Sequence, residues 1–303
     1  KFEIINTPKL SKNLFLLPFQ IIFLIYLSIN SIIFLKKNKF EILISTGGYM
    51  SLPLCIASKI LNMKLFLFEP NMVLGKSNRF FINFSKKIFC YSDKIKNLPV
   101  KSKNKISKIK SLLRKEFYEI KKNDDLDKKI NLLIIGGSQG ARLFDNIFET
   151  IIEINKKYEL KIFHQTNSND LKEKYSLNNI ENEIFGFNED ISKYMNKSNL
   201  CLTRAGASTL AELIFLNIPH LAVPLSSAKD NHQFENASFY QKQGFNWVMS
   251  QDEINKANLT QKLVNIIENK EEYLDKKKNM KNFSYNNTWN IINQKIITTI
   301  NEN

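Results

Sequence analysis

The sequence predicts an α/β protein built from two Rossmann-like domains in tandem. Short β-rich runs alternate with helical runs along the 303 residues, which is the pattern of parallel sheets with crossover helices. The chain is longer than one average domain. A lysine-rich stretch at 101–110 and a charged, polar one at 121–129 separate two such alternating series.

The two series define the predicted elements and the domain boundaries. In the first series the strands are predicted at 42–45, 65–68 and 87–90, with helices at 51–60 and 73–85. In the second series five strands are predicted, at 131–135, 161–163, 183–185, 199–203 and 220–223. We place the domains at 1–122 and 123–283, and expect 284–303 to form a helix that packs back on the first domain.

The amino-acid composition indicates which classes of binding partner the protein favours. The 44 basic and 29 acidic residues give a net charge of +15, which favours phosphates, acidic lipid or nucleic acid. Much of this charge reflects codon bias, because nearly all basic residues are lysines in a chain rich in Ile, Asn and Phe. Glycine and arginine are scarce, so those that persist mark positions where chemistry requires them. The three cysteines lie far apart without metal-ligand spacing, which is typical of buried thiols in a reducing cytoplasm.

An apolar run at 14–35, closed by lysines at 36, 37 and 39, is long enough to span a bilayer. Polar residues inside the run and the α/β pattern that resumes after it argue against a spanning helix. A buried helix is the plain alternative. We favour a helix docked on the first domain with its outer face in the membrane surface, since this explains both the all-round hydrophobicity and the lysines.

Three loops of the second half follow predicted strands, where α/β proteins bind ligands. The loop at 136–142, Gly-Gly-Ser-Gln-Gly-Ala-Arg, allows a phosphate to approach backbone N–H groups, or is only a tight-packing turn. In the loop at 203–213, Ser208 or Thr209 is expected to cap a helix whose amides meet a diphosphate. Glu212 suits ribose hydroxyls, or merely complements the helix dipole.

The remaining loops complete a set of five. The run of side-chain amides at 230–237 suits sugar hydroxyls, although a solvated helix start looks similar. Loops at 45–53 and 68–75 close two strands of the first half in the same way. Each loop is a weak signal alone, whereas five at strand C-termini indicate a ligand site.

Taken in order, the five loops resemble one family. They read Gly-Gly-Tyr-x-Ser-x-Pro, Glu-x-Asn-x-x-x-Gly, Gly-Gly-Ser-Gln-Gly-Ala, Arg-x-Gly-Ala-x-Thr-x-x-Glu and Asp-x-x-Gln-x-x-Asn-Ala. This order resembles the MurG family, the undecaprenyldiphospho-muramoylpentapeptide β-N-acetylglucosaminyltransferases, over essentially the whole chain. The resemblance implies a GT-B fold, two Rossmann-like domains with a cleft between them, in which the N-terminal domain binds the acceptor and the C-terminal domain the donor.

The resemblance also implies a reaction and its partners. GlcNAc passes from UDP-GlcNAc to the C4 hydroxyl of undecaprenyl-diphospho-MurNAc-pentapeptide with inversion, at the cytoplasmic face of the inner membrane. An anionic membrane surface is therefore an expected partner, whereas nucleic acid, a metal and a cofactor are not expected. The rival interpretations are another lipid-directed GT-B transferase, or a non-catalytic membrane module whose missing loop comes from a partner chain.

Site residues follow by position. The resemblance implies donor contacts at Asn71, Arg114, Ser138, Asn188, Ala207, Ser208, Thr209, Leu210, Ala211, Glu212 and Gln233, and acceptor-side contacts at Gly47, Gly48, Tyr49 and Ser51. Lys-Ser-Leu at 110–112 replaces the family's Gly-Asn-Pro, and Pro70 replaces a glutamine. The catalytic residue is unknown, because the family's glycine-rich loop with its proposed general-base histidine is expected before Lys1. None of His164, His220 and His232 takes that place.

Overall fold

The computed structural model describes residues 4–5, 7, 15–120, 129–136, 141–187, 190–226 and 228–303. The chain divides into two compact units. One is formed by Lys1–Ser111 with Asn290–Asn303, and the other by Leu112–Trp289. The domain boundaries at 122 and 284 stay predictions.

Ten strands alternate with helices through both units. The strands are β1 Ile42–Ser45, β2 Lys64–Glu69, β3 Lys87–Cys90, β4 Ile106–Lys108, β5 Ile130–Ile135, β6 Leu160–Gln165, β7 Glu181–Phe185, β8 Leu200–Thr203, β9 His220–Ala222 and β10 Asn246–Val248. The helices are α1 Leu17–Lys37, α2 Leu52–Ile60, α3 Lys76–Phe81, α4 Lys115–Glu119, α5 Ala141–Asp145, α6 Phe148–Asn155, α7 Asn169–Leu177, α8 Ser192–Asn196, α9 Ala207–Phe215, α10 His232–Lys242, α11 Lys256–Glu268, α12 Lys270–Ser284 and α13 Trp289–Asn301.

The first unit has a four-stranded parallel sheet in the order β1-β2-β3-β4. Its apolar core includes Leu65 and Leu67 of β2 and Phe81 of α3. Lys105 fixes the chain after α3, because its Nζ donates to the carbonyls of Ile82 at 2.8 Å, Asn83 at 2.9 Å and Ser85 at 2.6 Å. The last helix, α13, joins this unit through a hydroxyl hydrogen bond of 3.2 Å between Thr299 and Ser107.

Helix α1 has its polarity reversed relative to an ordinary surface helix. Its buried residues are Ser28, Ser31 and Leu35, and the two serine hydroxyls donate to carbonyls four residues back at 2.7 and 2.8 Å. These small residues allow α1 to pack closely on α2. The large apolar side chains instead point outward, and the most exposed are Phe19 at 72% and Ile22 at 64%.

The second unit has a six-stranded parallel sheet in the order β10-β9-β8-β5-β6-β7. Leu132 and Ile134 of β5 lie in one core and Leu133 and Ile135 in the other, so both faces of the sheet are buried. The chain moves outward from β5 in one direction through β6 and β7, and in the other through β8, β9 and β10. Strand order therefore reverses at β5 and β8, and the carboxyl ends of these two strands form the place where open α/β sheets bind ligands.

Candidate functional site

Helix α9 starts directly after β8 and presents an open N-terminus. Gly206 is the N-cap, with φ −66 and ψ 135, and among the described residues no side chain caps this end. The prediction that Ser208 or Thr209 caps the helix is therefore wrong. Because the cap has no side chain, the first-turn N–H groups of Ala207, Ser208 and Thr209 lack both an intrahelical carbonyl and a cap acceptor. Such an N-terminus binds anions.

Leu210 and Ala211, further along α9, were also predicted as donor contacts. Their side chains are buried in two different apolar clusters of the second unit, at 0% and 2% exposed. The backbone N–H of Leu210 donates to the carbonyl of Gly206 at 2.9 Å. The side chains of these two residues therefore hold the helix in place, and their donor contacts stay predictions.

Glu212 lies on the next turn of α9 and is 5% exposed. Its Oε1 accepts a hydrogen bond from Nε of Arg114 at 3.0 Å, which joins two predicted site residues that are 98 positions apart. Arg114 is the N-cap residue of α4, and its guanidinium also lies 5.0 Å from the ring centroid of Phe117. Burial raises the pKa of Glu212, and the Arg114 cation opposes that rise. A buried carboxylate held by one arginine has remaining lone pairs for ligand hydroxyls.

Arg204 connects loops at the carboxyl edge of the second sheet through its hydrogen bonds. It is 5% exposed, and one guanidinium nitrogen donates to the Val223 carbonyl at 3.2 Å and to Gln251 at 2.9 Å. Its Cζ lies 5.3 Å from the ring centroid of Phe144, in α5. Burial lowers the pKa of Arg204, and Nε has no partner within the described part of the chain. Arg204 comes two residues before the N-cap of α9, and a buried cation favours an anionic ligand. Arg204 stood out in the sequence because arginine is rare in this chain, but no role was predicted for it.

Gln233, in the first turn of α10, has a fixed amide. Its Oε1 accepts the N–H of Leu225 at 2.8 Å, so its NH₂ group is the end turned away from that loop. The preceding Asp230 and Asn231 both adopt left-handed backbone conformations, with φ 53 and 54. Asn236, one turn further along, donates to the carbonyl of Ala205 at 3.2 Å. Helix α10 is therefore held against the loop that precedes α9.

Two predicted donor contacts lie outside the described residues. They are Ser138, in the glycine-rich loop after β5, and Asn188, after β7. The loop nevertheless starts at the switch point, because Gly136 directly follows β5. Both residues stay predictions.

The acceptor-side residues lie together at the carboxyl end of β1 in the first unit. Gly47 and Gly48 both have φ +78, a left-handed conformation that favours glycine. The hydroxyl of Ser51 donates to the carbonyl of Gly48 at 2.9 Å and lies 3.1 Å from that of Ser77, in α3. Tyr49 is 40% exposed. Asn71 follows β2 at the same edge of this sheet and donates from Nδ2 to Oε1 of Glu69 at 2.9 Å.

Two histidines serve the core. His164 and His220 are both fully buried, and burial lowers the pKa of each to about 4. His164 Nδ1 lies 3.1 Å from the Tyr175 hydroxyl, and His220 Nδ1 lies 2.9 Å from the Ile218 carbonyl. Within the described ranges, no group of three or more His, Cys, Asp or Glu side chains is placed to hold a metal ion.

Comparison with known proteins agrees with this fold. Residues 131–290 match the glycosyltransferase family 28 C-terminal domain, and residues 1–90 match its N-terminal domain. The chain is 59% identical, over 99% of its length and 86% of the relative's, to the UDP-N-acetylglucosamine--N-acetylmuramyl-(pentapeptide) pyrophosphoryl-undecaprenol N-acetylglucosamine transferase of Pelagibacter ubique. The transferase of the same description from Rickettsia bellii is 34% identical over 74% of this chain and 66% of its own.

A solved structure extends the likeness to three dimensions. The crystal structure of Acinetobacter baumannii MurG matches with a TM-score of 0.72 at 22% identity, over 95% of this chain and 80% of the other. Two parallel-sheet α/β units with these domain matches define a glycosyltransferase of the GT-B fold. Within that class, the chain belongs to the MurG family, which confirms the resemblance drawn from its five loops.

Proposed function

We propose that the chain transfers GlcNAc from UDP-GlcNAc to the C4 hydroxyl of undecaprenyl-diphospho-MurNAc-pentapeptide. The observation that carries this proposal is the carboxyl end of β8, which is followed along the chain by the buried Arg204, the open N-terminus of α9 and the buried Glu212 of that helix. Family membership, with 59% identity to a transferase of that description, supports the identity of donor and acceptor.

Each group at this edge suits one part of the donor. The N–H groups of Ala207, Ser208 and Thr209 and the cation of Arg204 match the diphosphate. Glu212 accepts hydrogen bonds from the ribose hydroxyls, and the NH₂ group of Gln233 donates to those of the sugar. Ser138 and Asn188 are proposed as further diphosphate and uracil contacts.

The chemistry of transfer requires stabilisation of the leaving group. The C4 hydroxyl of the acceptor attacks the anomeric carbon and UDP departs, so negative charge increases on the diphosphate. Fixed N–H dipoles at a helix N-terminus and a nearby guanidinium stabilise that charge without reorganising, which is the largest contribution in many enzymes.

The first unit has the charge expected of a membrane-facing domain. It contains 20 of the 44 basic residues but only 5 of the 29 acidic ones, so its formal charge of +15 equals that of the whole chain. The second unit, with the remaining 24 of each, is neutral. Lysines near an anionic surface contribute about 1 kcal/mol each, and the outward apolar face of α1 supplies a hydrophobic contact. We infer peripheral attachment to the cytoplasmic face of the inner membrane.

Among the described residues, α1 is the one helix whose length and composition would allow it to cross a membrane. Its buried stripe of Ser28, Ser31 and Leu35 packs against the first unit. A helix that remains docked in this way can insert only its outer face, which supports the interfacial interpretation over the spanning one.

Isothermal calorimetry tests the donor assignment. Because the proposed contacts that the structure describes in the second unit form one sheet edge, the purified chain is expected to bind UDP-GlcNAc, and to bind UDP-glucose and UDP-GalNAc more weakly. Circular dichroism on the same sample confirms that the protein is folded. If the folded protein does not bind UDP-GlcNAc, or binds another nucleotide sugar more tightly, the proposed function is contradicted.

A further inference from the structure

His164 lies near the carboxyl end of β6, as the last residue but one of that strand. Its side chain is fully buried, and Nε2 lies 3.9 Å from Oδ1 of Asp145, in α5. Both atoms are buried, and neither has a hydrogen-bond partner within the described part of the chain. Because a buried polar atom without a partner is costly, we expect the two atoms to be partners of each other.

The other ring nitrogen of His164 determines where the ring proton lies. Nδ1 lies 3.1 Å from the hydroxyl of Tyr175, in α7, and the ring is neutral because burial lowers the pKa of His164 to about 4. Burial raises the pKa of Tyr175, and the Asp145 carboxylate adds to that rise, so this hydroxyl keeps its proton. A neutral imidazole has one N–H and one lone pair. With the hydroxyl donating to Nδ1, the ring proton lies on Nε2 and is directed towards the carboxylate.

Helix α5 also contacts the buried arginine of the second unit. Phe144, the residue before Asp145, is fully buried, and its ring centroid lies 5.3 Å from Cζ of Arg204. This separation is within the range of a cation–π interaction. A shift of α5 would therefore move the ring against which the guanidinium packs.

Arg204 has donor capacity that the protein leaves unused. One guanidinium nitrogen donates to the Val223 carbonyl and to Gln251, whereas Nε is buried without a partner in the described ranges. An N–H group of this kind is available to an anion only while the guanidinium keeps its orientation. The ring of Phe144, and through it the position of α5, contributes to that orientation.

We propose that His164 is a positioning residue for donor binding, which holds Asp145 and α5 so that Phe144 keeps the guanidinium of Arg204 directed at the diphosphate. The proposal rests on the proposed function, in which Arg204 binds that diphosphate. An approach of about 1 Å completes the hydrogen bond between Nε2 and Oδ1. His164→Phe keeps a ring at this position but removes both nitrogens. It is expected to weaken UDP-GlcNAc binding by about 10-fold, the effect of losing one charge-assisted hydrogen bond.

His220 provides a matched control in the same unit. It is also fully buried, burial also lowers its pKa to about 4, and its Nε2 also has no hydrogen-bond partner among the described residues. Its place differs, because it is the first residue of β9, at the amino edge of the sheet. His220→Phe is therefore expected to change UDP-GlcNAc affinity by less than about 2-fold. Calorimetry measures both affinities and melting curves measure stability, and equal losses of affinity in the two variants overturn the proposal.

A double-mutant cycle tests the route through Arg204. In an Arg204→Lys background, His164→Phe is expected to cost less than about 2-fold further, because the planar guanidinium that packs on Phe144 is gone. Asp145→Leu covers a His164→Phe variant that does not fold, since the Asp145 side chain is 27% exposed, and it is expected to show the same loss of affinity. Unchanged affinity in Asp145→Leu, or the same loss from His164→Phe with arginine and with lysine at position 204, overturns the proposal.

Nitrogen NMR of labelled histidine locates the ring proton in the unmodified chain. The Nε2–H form of His164 is expected, and the Nδ1–H form overturns the proposal, because a lone pair would then face the carboxylate of Asp145. Failure of the proposed function gives a different result. Folded protein that does not bind UDP-GlcNAc contradicts the proposed function, whereas UDP-GlcNAc binding that His164→Phe and His220→Phe change equally overturns only the role of His164.

Discussion

Replacing Phe19, Ile22, Ile29 and Ile33 together with serine is expected to lower the affinity of the chain for anionic vesicles by at least about 100-fold. These side chains of α1 are 50–72% exposed, and fully burying one such side chain contributes about 1.5–3 kcal/mol. Because half or more of each of these residues is exposed to solvent, the melting temperature is expected to change little. Sedimentation with vesicles, read beside melting curves, measures both quantities.

Leu35→Ser is the matched control, because Leu35 lies on the buried stripe of the same helix at 4% exposed. It is expected to cost about 2–5 kcal/mol of stability and to leave vesicle binding by the folded fraction intact. Binding should also rise with acidic lipid and fall with salt, since surface charges are screened. If the fourfold variant unfolds and its lipid binding does not change, the membrane assignment is contradicted. Resistance of the protein to carbonate extraction would instead indicate a spanning helix.

Glu212→Gln is expected to weaken UDP-GlcNAc binding by about 1–3 kcal/mol, the size of a lost charged hydrogen bond, without lowering the melting temperature. Burial raises the pKa of Glu212, so the ionised carboxylate reduces folding stability at neutral pH. A group of this kind stabilises the fold below its unfolded pKa, and that contribution is lost as pH rises through the folded value. We therefore expect the loss caused by Glu212→Gln to appear in donor affinity and not in the melting temperature.

Calorimetry across the acid range tests the same carboxylate. Donor affinity of the unmodified chain should fall as pH is lowered through the raised pKa of Glu212, and the dependence should be lost in Glu212→Gln. Glu116→Gln is the matched control, since Glu116 also lies near Arg114, at 3.6 Å, but is 43% exposed. Unchanged donor affinity in Glu212→Gln would show that Glu212 only complements the dipole of helix α9.

The loops of the second unit were predictable because glycine is rare in this composition. The strands predicted before them are present, and the open α9 N-terminus confirms the predicted pattern of strand, small residues and helix. Two strands were missed, β4 and β10. Each has three residues and no long apolar run, so it forms through pairing with a neighbouring strand rather than through its own pattern.

The contacts that define the site were not predictable from spacing. Arg114 and Glu212 are 98 positions apart, and only the packing of α4 near α9 brings them together. The role of Gly206 as N-cap was missed because Ser208 and Thr209, residue types that often cap helices, lie two and three positions after it. Glu69 was recognised as part of the motif Glu-x-Asn-x-x-x-Gly. Its carboxylate accepts hydrogen bonds from N–H groups of Asn71, Gly75 and Asn78. These contacts depend on the turn between β2 and α3, which the sequence pattern does not specify.

Transfer of radiolabelled GlcNAc to the lipid acceptor tests the proposed reaction itself. The purified protein is incubated with labelled UDP-GlcNAc and with undecaprenyl-diphospho-MurNAc-pentapeptide in anionic vesicles. We expect label in the lipid fraction, in a β linkage to the C4 hydroxyl of the muramic acid, and none with a diacylglycerol acceptor. Label on diacylglycerol instead, or faster transfer from another nucleotide sugar, would contradict the proposed function.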